Sequence, residues 1–163
     1  MYTRAMRLFV KATKPTPPKT KDTVKIAYLY VGILLLLLVT QILTFKGLLN
    51  LAESWGMPGG VLFSNWLIAV LIFAEIFALP FLLRLKLSPL ARIMSMVMTW
   101  IVPVIWVFIS LWINLSVNAI SNVGMLGTLV QLVPGWWVTF IAIAIGILAA
   151  WASWGMWPKN NKK

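Results

Sequence analysis

The chain contains no cysteine and no histidine. Without cysteine it cannot form a disulfide, carry out thiol redox chemistry or hold an iron–sulfur cluster through thiolates, and without histidine it lacks the imidazole ligands of haem and zinc. Charge is also scarce, because 10% of the 163 residues are charged, against about 25% in an average soluble domain. These absences exclude the common metal and redox centres from this chain alone, and its composition makes no cofactor evident.

Long apolar runs dominate the rest of the sequence. Hydrophobic residues make up 61% of the chain, and its mean hydropathy is +0.94. A hydrocarbon core about 30 Å thick requires a helix of about 20 apolar residues, with every backbone amide paired internally. We therefore predict an all-α integral membrane four-helix bundle at residues 26–157, between basic tails at 1–25 and 158–163. The predicted spans are 26–45, 61–83, 93–113 and 136–157.

Basic residues define the predicted topology. All fourteen lysines and arginines except Lys46 lie in the two tails or between the second and third spans. The positive-inside rule makes that side cytoplasmic, so both termini are predicted to be cytoplasmic. Cations flanking apolar spans favour anionic lipid over nucleic acid as partner. We expect a multi-pass protein of a bacterial or archaeal inner membrane, with tryptophans as interfacial anchors near the span ends: Trp55, Trp136, Trp137, Trp154 and Trp157.

The N-terminal tail divides into two parts. Its first residues place four cations at helical spacing on one face, opposite Met6 and Phe9, which predicts a short amphipathic helix. Prolines make residues 14–21 an extended, semi-rigid spacer. Two interpretations of the helix stay open: it contacts anionic lipid or a partner subunit, or it is a solvated tail whose cations only set topology. The predicted lipid contacts are Arg4, Arg7, Lys11 and Lys14.

Glu75 is the one acid inside a predicted span. It lies about nine residues from Arg84, which places it ~13 Å into the membrane. An ionised side chain at mid-depth costs on the order of 2.5–3.5 kcal/mol, so such residues tend to face the bundle interior with partners. Thr99 lies seven residues after Arg92 in the third span, so it is predicted to lie at nearly the same membrane depth as Glu75. Ser95 lies one helical turn closer to the cytoplasm.

Two prolines lie near this level. Pro80 and Pro103 lack an amide proton, so they release the carbonyls four residues earlier, at Ile76 and Thr99. One hypothesis is that Glu75, Thr99 and the two kinks outline a polar cavity that holds a proton, water or a lipid-like head group. The alternative is that a neutral Glu75 donates one hydrogen bond to a neighbouring helix and acts only in packing.

Two further features concern the outer side and the fourth span. Lys46 lies about half a bilayer from Glu75, so it extends a separate outer patch with Gln41. The uncharged segment 114–135 is expected to lie flat on the outer surface as a partly apolar cover. Small residues recur at four-residue spacing in the fourth span, which is typical of close helix packing, within the chain or with another subunit: Ala142, Gly146 and Ala150.

Short motifs resemble the DoxX/MauE-like superfamily of four-helix membrane proteins. They are PheLysGlyLeuLeu at residues 45–49 and an acid before a leucine-rich stretch at 75–83. The resemblance covers about 26–157 and implies positions of interest at Lys46 and Glu75, without a catalytic role for either. Members of that family are functionally mixed, and some resemble components of quinone-linked oxidation. A cysteine pair of some relatives is missing here.

Three interpretations of function follow. The leading one is a small non-catalytic subunit or accessory component of a membrane complex, with other membrane subunits or a second copy as partners. The second is a component of a quinone-linked oxidoreductase, with quinone or bound lipid near Glu75. The third is a proton or small-solute pathway that uses Glu75. The leading interpretation assigns no enzymatic activity to the chain.

Overall fold

The computed structural model describes residues 12–116 and 120–157, which form five helices and no strand. The helices are α1 Lys21–Leu43, α2 Phe45–Glu53, α3 Gly60–Leu82, α4 Pro89–Ser116 and α5 Trp136–Met156. All but α2 are long and apolar enough to cross a membrane. The predicted four-helix membrane bundle is therefore confirmed. Arg4, Arg7 and Lys11, predicted to contact lipid, lie outside the described residues.

The four long helices form a square in cross-section. Helix α1 packs against α3 and α5, and α4 packs against the same two, so α1 and α4 face each other across a diagonal. Thr13 bonds to Leu87 in the connection between α3 and α4, and Met156 at the end of α5 lines one cavity with residues of that connection. Both ends of the described chain therefore lie at this end of the bundle, as an even number of spans requires. We call this end, which carries Arg84, Lys86 and Arg92, the basic end. The opposite end, made of α2 and residues 120–135, is the loop end.

Helix starts follow local capping chemistry. Helix α1 begins at Lys21, five residues before the predicted span, because the Thr20 side chain accepts a hydrogen bond from the Thr23 amide and Asp22 lies in the first turn. Helix α4 begins with Pro89, a favoured first helical residue. The Ser88 hydroxyl accepts from the Ala91 amide at 3.2 Å, which caps that start.

Residues 13–19, which include most of the predicted extended spacer, bind across the basic end. Thr13 makes an isolated antiparallel bridge with Leu87. The Thr16 hydroxyl donates to the Met156 carbonyl at 3.0 Å, and the Lys19 amide donates to the Gly155 carbonyl at 2.8 Å. The tail therefore connects the α3–α4 connection with the end of α5.

Helix α3 ends in a Schellman motif at the basic end. The Leu85 amide donates to the Pro80 carbonyl and the Arg84 amide to the Phe81 carbonyl, both at 3.0 Å. The motif requires a left-handed residue, which is usually glycine. Here it is Arg84, with φ 57°. A non-glycine residue in this region costs about 1–2 kcal/mol.

The loop end is packed rather than flat. Asn122 is buried, and so are Val123, Gly124, Met125 and Gly127. The Asn122 side chain accepts from the Gly124 and Leu132 amides and donates to the Gly127 carbonyl. The structure differs from the expected cover over 114–135 in two respects: α4 continues to Ser116, and residues 122–125 pack into the end of the bundle. Some apolar side chains of this segment remain exposed: Leu129, Val130 and Val133.

Close backbone approach explains two glycines of this loop. Gly127 has φ 61°, and a Cβ there would collide with the Thr44 hydroxyl and lie 2.7 Å from the Thr40 carbonyl oxygen. Gly124 has φ 82° and presses on Leu48 and Leu51 of α2 and on Trp55. Only glycine fits such positions without strain.

Tryptophan placement follows from this packing. Four of the five predicted anchors are exposed at the ends of α5: Trp136, Trp137, Trp154 and Trp157. Trp55 differs, because it is fully buried beneath residues 120–135. Its carbonyl accepts from the Trp112 indole N–H at 3.0 Å, which fixes the chain after α2 to α4. Trp55 is therefore part of the loop-end core, not an anchor.

Gly155→Ala should destabilise the bundle by about 1–3 kcal/mol through overpacking. A Cβ at this buried glycine would collide with the Thr23 side chain, where α5 meets α1. The matched control is Gly146→Ala on the same helix, because its Cβ would meet Pro103 at an ordinary 3.6 Å. Thermal unfolding in detergent measures both variants. Equal losses in the two would contradict the close approach at Gly155.

Candidate functional site

Glu75 is fully buried and pairs with Gln41. The Gln41 amide nitrogen donates to the Glu75 carboxyl oxygen Oε1 at 3.1 Å. The same nitrogen donates to the Met125 carbonyl at 3.3 Å. Gln41 thereby links an acid of α3 to the loop end, and two positions that the sequence assigned to separate patches form one site. We call Gln41, Glu75, Trp106 and the Met125 carbonyl the Glu75 site.

Side-chain direction explains this pairing. Side chains on a helix lean toward its N-terminus. Helices α1 and α3 run in opposite directions, so Gln41 leans toward the basic end and Glu75 toward the loop end. The two side chains thus converge although their Cα atoms lie at different depths. An estimate of membrane depth from Cα positions alone therefore does not predict that Gln41 and Glu75 are in contact.

The Glu75 site contains unused hydrogen-bonding capacity. Three of its buried atoms have no hydrogen-bond partner within the described ranges: Glu75 Oε2, Gln41 Oε1 and Trp106 Nε1. The fully buried Trp106 indole lies beside the Glu75 carboxyl, yet its N–H does not reach hydrogen-bond geometry. The site therefore offers two acceptors and one donor to a small polar molecule.

A second polar cluster lies across the centre of the bundle, at Thr99. The Tyr30 hydroxyl donates to the Thr99 carbonyl at 2.7 Å, and this is the carbonyl that Pro103 releases. The Thr99 hydroxyl donates to Met96 and lies 3.3 Å from the Ser153 hydroxyl. Helices α1, α4 and α5 are joined here, so Thr99 is occupied by structural bonds and makes none to Glu75.

Ser95 has a different role at the Pro80 kink. Its hydroxyl donates to the Phe77 carbonyl at 2.6 Å and accepts from the Phe81 amide at 3.0 Å. These two backbone groups lie in the turn that Pro80 interrupts. Ser95 of α4 therefore provides hydrogen-bond partners for two backbone groups of α3 next to Pro80, where the regular helical hydrogen bonds are interrupted.

The other predicted positions lie away from Glu75. Lys46 is exposed in the first turn of α2, and Lys14 is exposed in the tail. Ala142 is buried, while Gly146 and Ala150 are half-buried. These three small residues line a groove between α4 and α5, which is open to the side and has a volume of about 420 Å³.

Sequence reasoning missed two residues of these clusters, Tyr30 and Trp106. Both are polar aromatic residues in the middle of a span, away from the interfaces where such residues usually lie. That position is the signal that could have identified them, because a buried Tyr hydroxyl or Trp N–H needs a partner inside the bundle.

The chain matches no protein-family model, no curated protein and no solved structure. Fold and site define a class, a multi-pass helical membrane protein.

Proposed function

We propose that this chain is a non-catalytic subunit or accessory component of a membrane complex, and that a transmembrane helix of another subunit binds in the α4–α5 groove. One contrast supports the proposal. Tyr30, Ser95 and Gln41 use their polar side chains in bonds between this chain's own helices. The small-residue side of α5, by contrast, is left open to the membrane.

The groove has the composition of a helix-binding surface. It is lined almost entirely by apolar side chains, with Pro103, Val104 and Val107 on one wall and Ile143 and Ile147 on the other. Small residues between these walls permit a second backbone to approach closely, and such contacts drive association in lipid.

Packing inside the chain does not use the small size of Gly146. A Cβ at this position would make only an ordinary contact with Pro103. The space beside Gly146 is therefore open to a helix of another chain, whose backbone can approach α5 closely at this point.

Ala150→Phe should remove the partner and leave the fold intact. The phenyl ring would fill the groove, because Ala150 lines it. Ala144→Phe is the matched control: Ala144 is exposed on α5 but does not line the groove. Native mass spectrometry of the gently extracted protein should show at least about tenfold less bound partner for Ala150→Phe only, since tenfold corresponds to about 1.4 kcal/mol.

Crosslinking identifies the occupant. The chain has no cysteine, so a single Ile147→Cys variant carries one crosslinking site, in the groove. A crosslink to a different membrane chain, lost with Ala150→Phe, supports the proposal. A crosslink to a second copy of this chain, or a groove that holds only lipid, contradicts it.

A second candidate function is favoured by the unpaired atoms of the Glu75 site. The resemblance to the DoxX/MauE-like superfamily suggests a quinone head group near Glu75, and Trp106 Nε1 is a donor of the same site that is unpaired within the described residues. Extraction of the purified protein should then yield quinone, and Glu75→Gln should lower the amount of bound quinone.

Proton flux in liposomes that depends on Glu75 would instead favour a proton pathway. If Glu75→Gln changes neither quinone content nor flux, Glu75 serves packing.

A further inference from the structure

Two arginines line one small cavity at the basic end. The cavity has a volume of about 10 Å³, and its lining includes Arg84, just after α3, Arg92 in the first turn of α4, and Pro15 and Thr16 of the tail. A phosphate group would therefore lie at its opening and not inside it. Both arginines therefore lie at the membrane boundary, where lipid head groups are found.

The backbone of Arg84 adopts a strained left-handed conformation, with φ 57°. It occupies the left-handed position of the Schellman motif, where glycine would be unstrained. Its Nε is buried and has no hydrogen-bond partner in the part of the chain that the structure describes. The left-handed backbone and the unpaired Nε at this one position favour a ligand at the Arg84 side chain, in addition to its backbone role in the Schellman motif.

Arg92 connects this cavity to a larger one. One of its terminal nitrogens donates to the carbonyls of Thr13 and Lys14, at 2.9 and 3.1 Å, and to the Thr13 hydroxyl. These bonds hold the guanidinium in place. Arg92 also lines a second cavity of about 240 Å³, together with Ile93, Met96 and Trp157. Phe81 and Met156 line both cavities, so the two are adjacent.

We propose that the basic end binds one anionic phospholipid, with its phosphate at Arg84 and Arg92 and part of one acyl chain in the 240 Å³ cavity. Guanidinium groups match the geometry of phosphate oxygens. The larger cavity is almost entirely apolar, apart from Arg92 at its edge. A phospholipid is the membrane component that combines a phosphate with an apolar chain at this depth.

The lining also favours an anionic lipid over a zwitterionic one. None of the described residues that line the two cavities is an aspartate or glutamate. A choline group would therefore find no carboxylate here, whereas a phosphatidylglycerol head group adds no positive charge beside the arginines. This site is independent of the α4–α5 groove and goes beyond the proposed function.

The test uses the full chain in detergent and measures thermal unfolding while phosphatidylglycerol is added, with phosphatidylcholine of the same acyl chains in parallel. Phosphatidylglycerol should raise the unfolding temperature at lower concentration than phosphatidylcholine, because a ligand that binds only the folded state stabilises it. Arg84→Gly should weaken the apparent affinity for phosphatidylglycerol about tenfold, the effect of losing one charge-assisted bond. Arg92→Gln should weaken it similarly.

Arg84→Gly separates binding from folding. Glycine relieves the left-handed strain, so this variant should be at least as stable as the unmodified protein when no lipid is added. Lys86→Gln is the matched control, because Lys86 is an exposed cation of the same connection that lines neither cavity. It should keep the affinity for phosphatidylglycerol.

Three results would overturn the lipid site. One is equal stabilisation by phosphatidylcholine, and another is equal stabilisation by inorganic phosphate alone. The third is an equal loss of affinity for phosphatidylglycerol in Lys86→Gln and Arg84→Gly. That result would show that the lipid responds only to the net charge of the basic end. The outcome is separate from partner binding, because Ala150→Phe should retain the phosphatidylglycerol effect.

Discussion

Asn122→Ala should destabilise the protein by about 3 kcal/mol, the largest loss expected from any single substitution proposed for this chain. The Asn122 side chain is buried and makes three bonds to backbone groups of its own loop. It accepts from the Gly124 amide at 2.9 Å and the Leu132 amide at 3.0 Å, and it donates to the Gly127 carbonyl at 3.2 Å. Alanine would leave all three without this partner, at about 1 kcal/mol or more each.

Ser121→Ala is the control for Asn122→Ala. Ser121 is the exposed neighbour in the same loop, so its replacement should change the unfolding free energy by less than about 0.5 kcal/mol. Thermal unfolding in detergent gives the loss, and hydrogen exchange over residues 120–135 shows whether this loop opens first. Unchanged exchange in Asn122→Ala would contradict its role as the organising residue of the loop.

Gln41→Leu should cost about 2 kcal/mol, because leucine keeps the bulk of the side chain but leaves the Glu75 Oε1 and Met125 carbonyl oxygens without its amide. Single interhelical hydrogen bonds in membranes average about 0.6 kcal/mol. The expected loss exceeds that mean because one amide serves two buried acceptors. Glu75→Leu should cost less, since the amide of Gln41 would still reach the Met125 carbonyl.

A double-mutant cycle measures the coupling between these two residues. The loss in the double variant Gln41→Leu, Glu75→Leu should be smaller than the sum of the two single losses, because an apolar pair leaves no unpaired carboxyl. Equilibrium unfolding of the four proteins in one detergent gives the four free energies. Strictly additive losses would show that the 3.1 Å bond contributes nothing to stability.

The spans could be predicted from the sequence because their signal is simple. A bilayer demands long apolar helices, and all basic residues but Lys46 lie at one end of the bundle or in the tails. Predicted boundaries are within a few residues for α3 and α5. They differ more for α1 and α4, where Thr20 and Pro89 start each helix before the apolar run begins.

The interior contacts could not be predicted in the same way. The partner of Glu75 depends on how far side chains lean along antiparallel helices, which hydropathy does not record. Ser95 could be placed near the kink level by depth, but its insertion between Phe77 and Phe81 depends on how α4 rotates against α3.

The loop end was the hardest part to predict. Helix α2 is only nine residues long, too short for a span, although Lys46, Asn50 and Glu53 recur at the helical spacing of an exposed polar face. Burial of Trp55 depends on a segment more than sixty positions later in the chain, since Gly124 packs against its ring. Local sequence does not encode such a distant contact.

The docked tail has a consequence for how the protein is made. Thr16 and Lys19 bind Met156 and Gly155 at the end of α5, and the Lys19 ammonium lies 4.4 Å from the centre of the Trp154 ring. These partners follow the other three spans in the chain, so the bonds of Thr16 and Lys19 form only after the fourth helix has been inserted, whereas Thr13 and Lys14 can already bind Leu87 and Arg92. Closure of residues 16–19 over the basic end therefore follows insertion of α5, and a chain that stalls after α4 leaves these residues without their bonds to Met156 and Gly155.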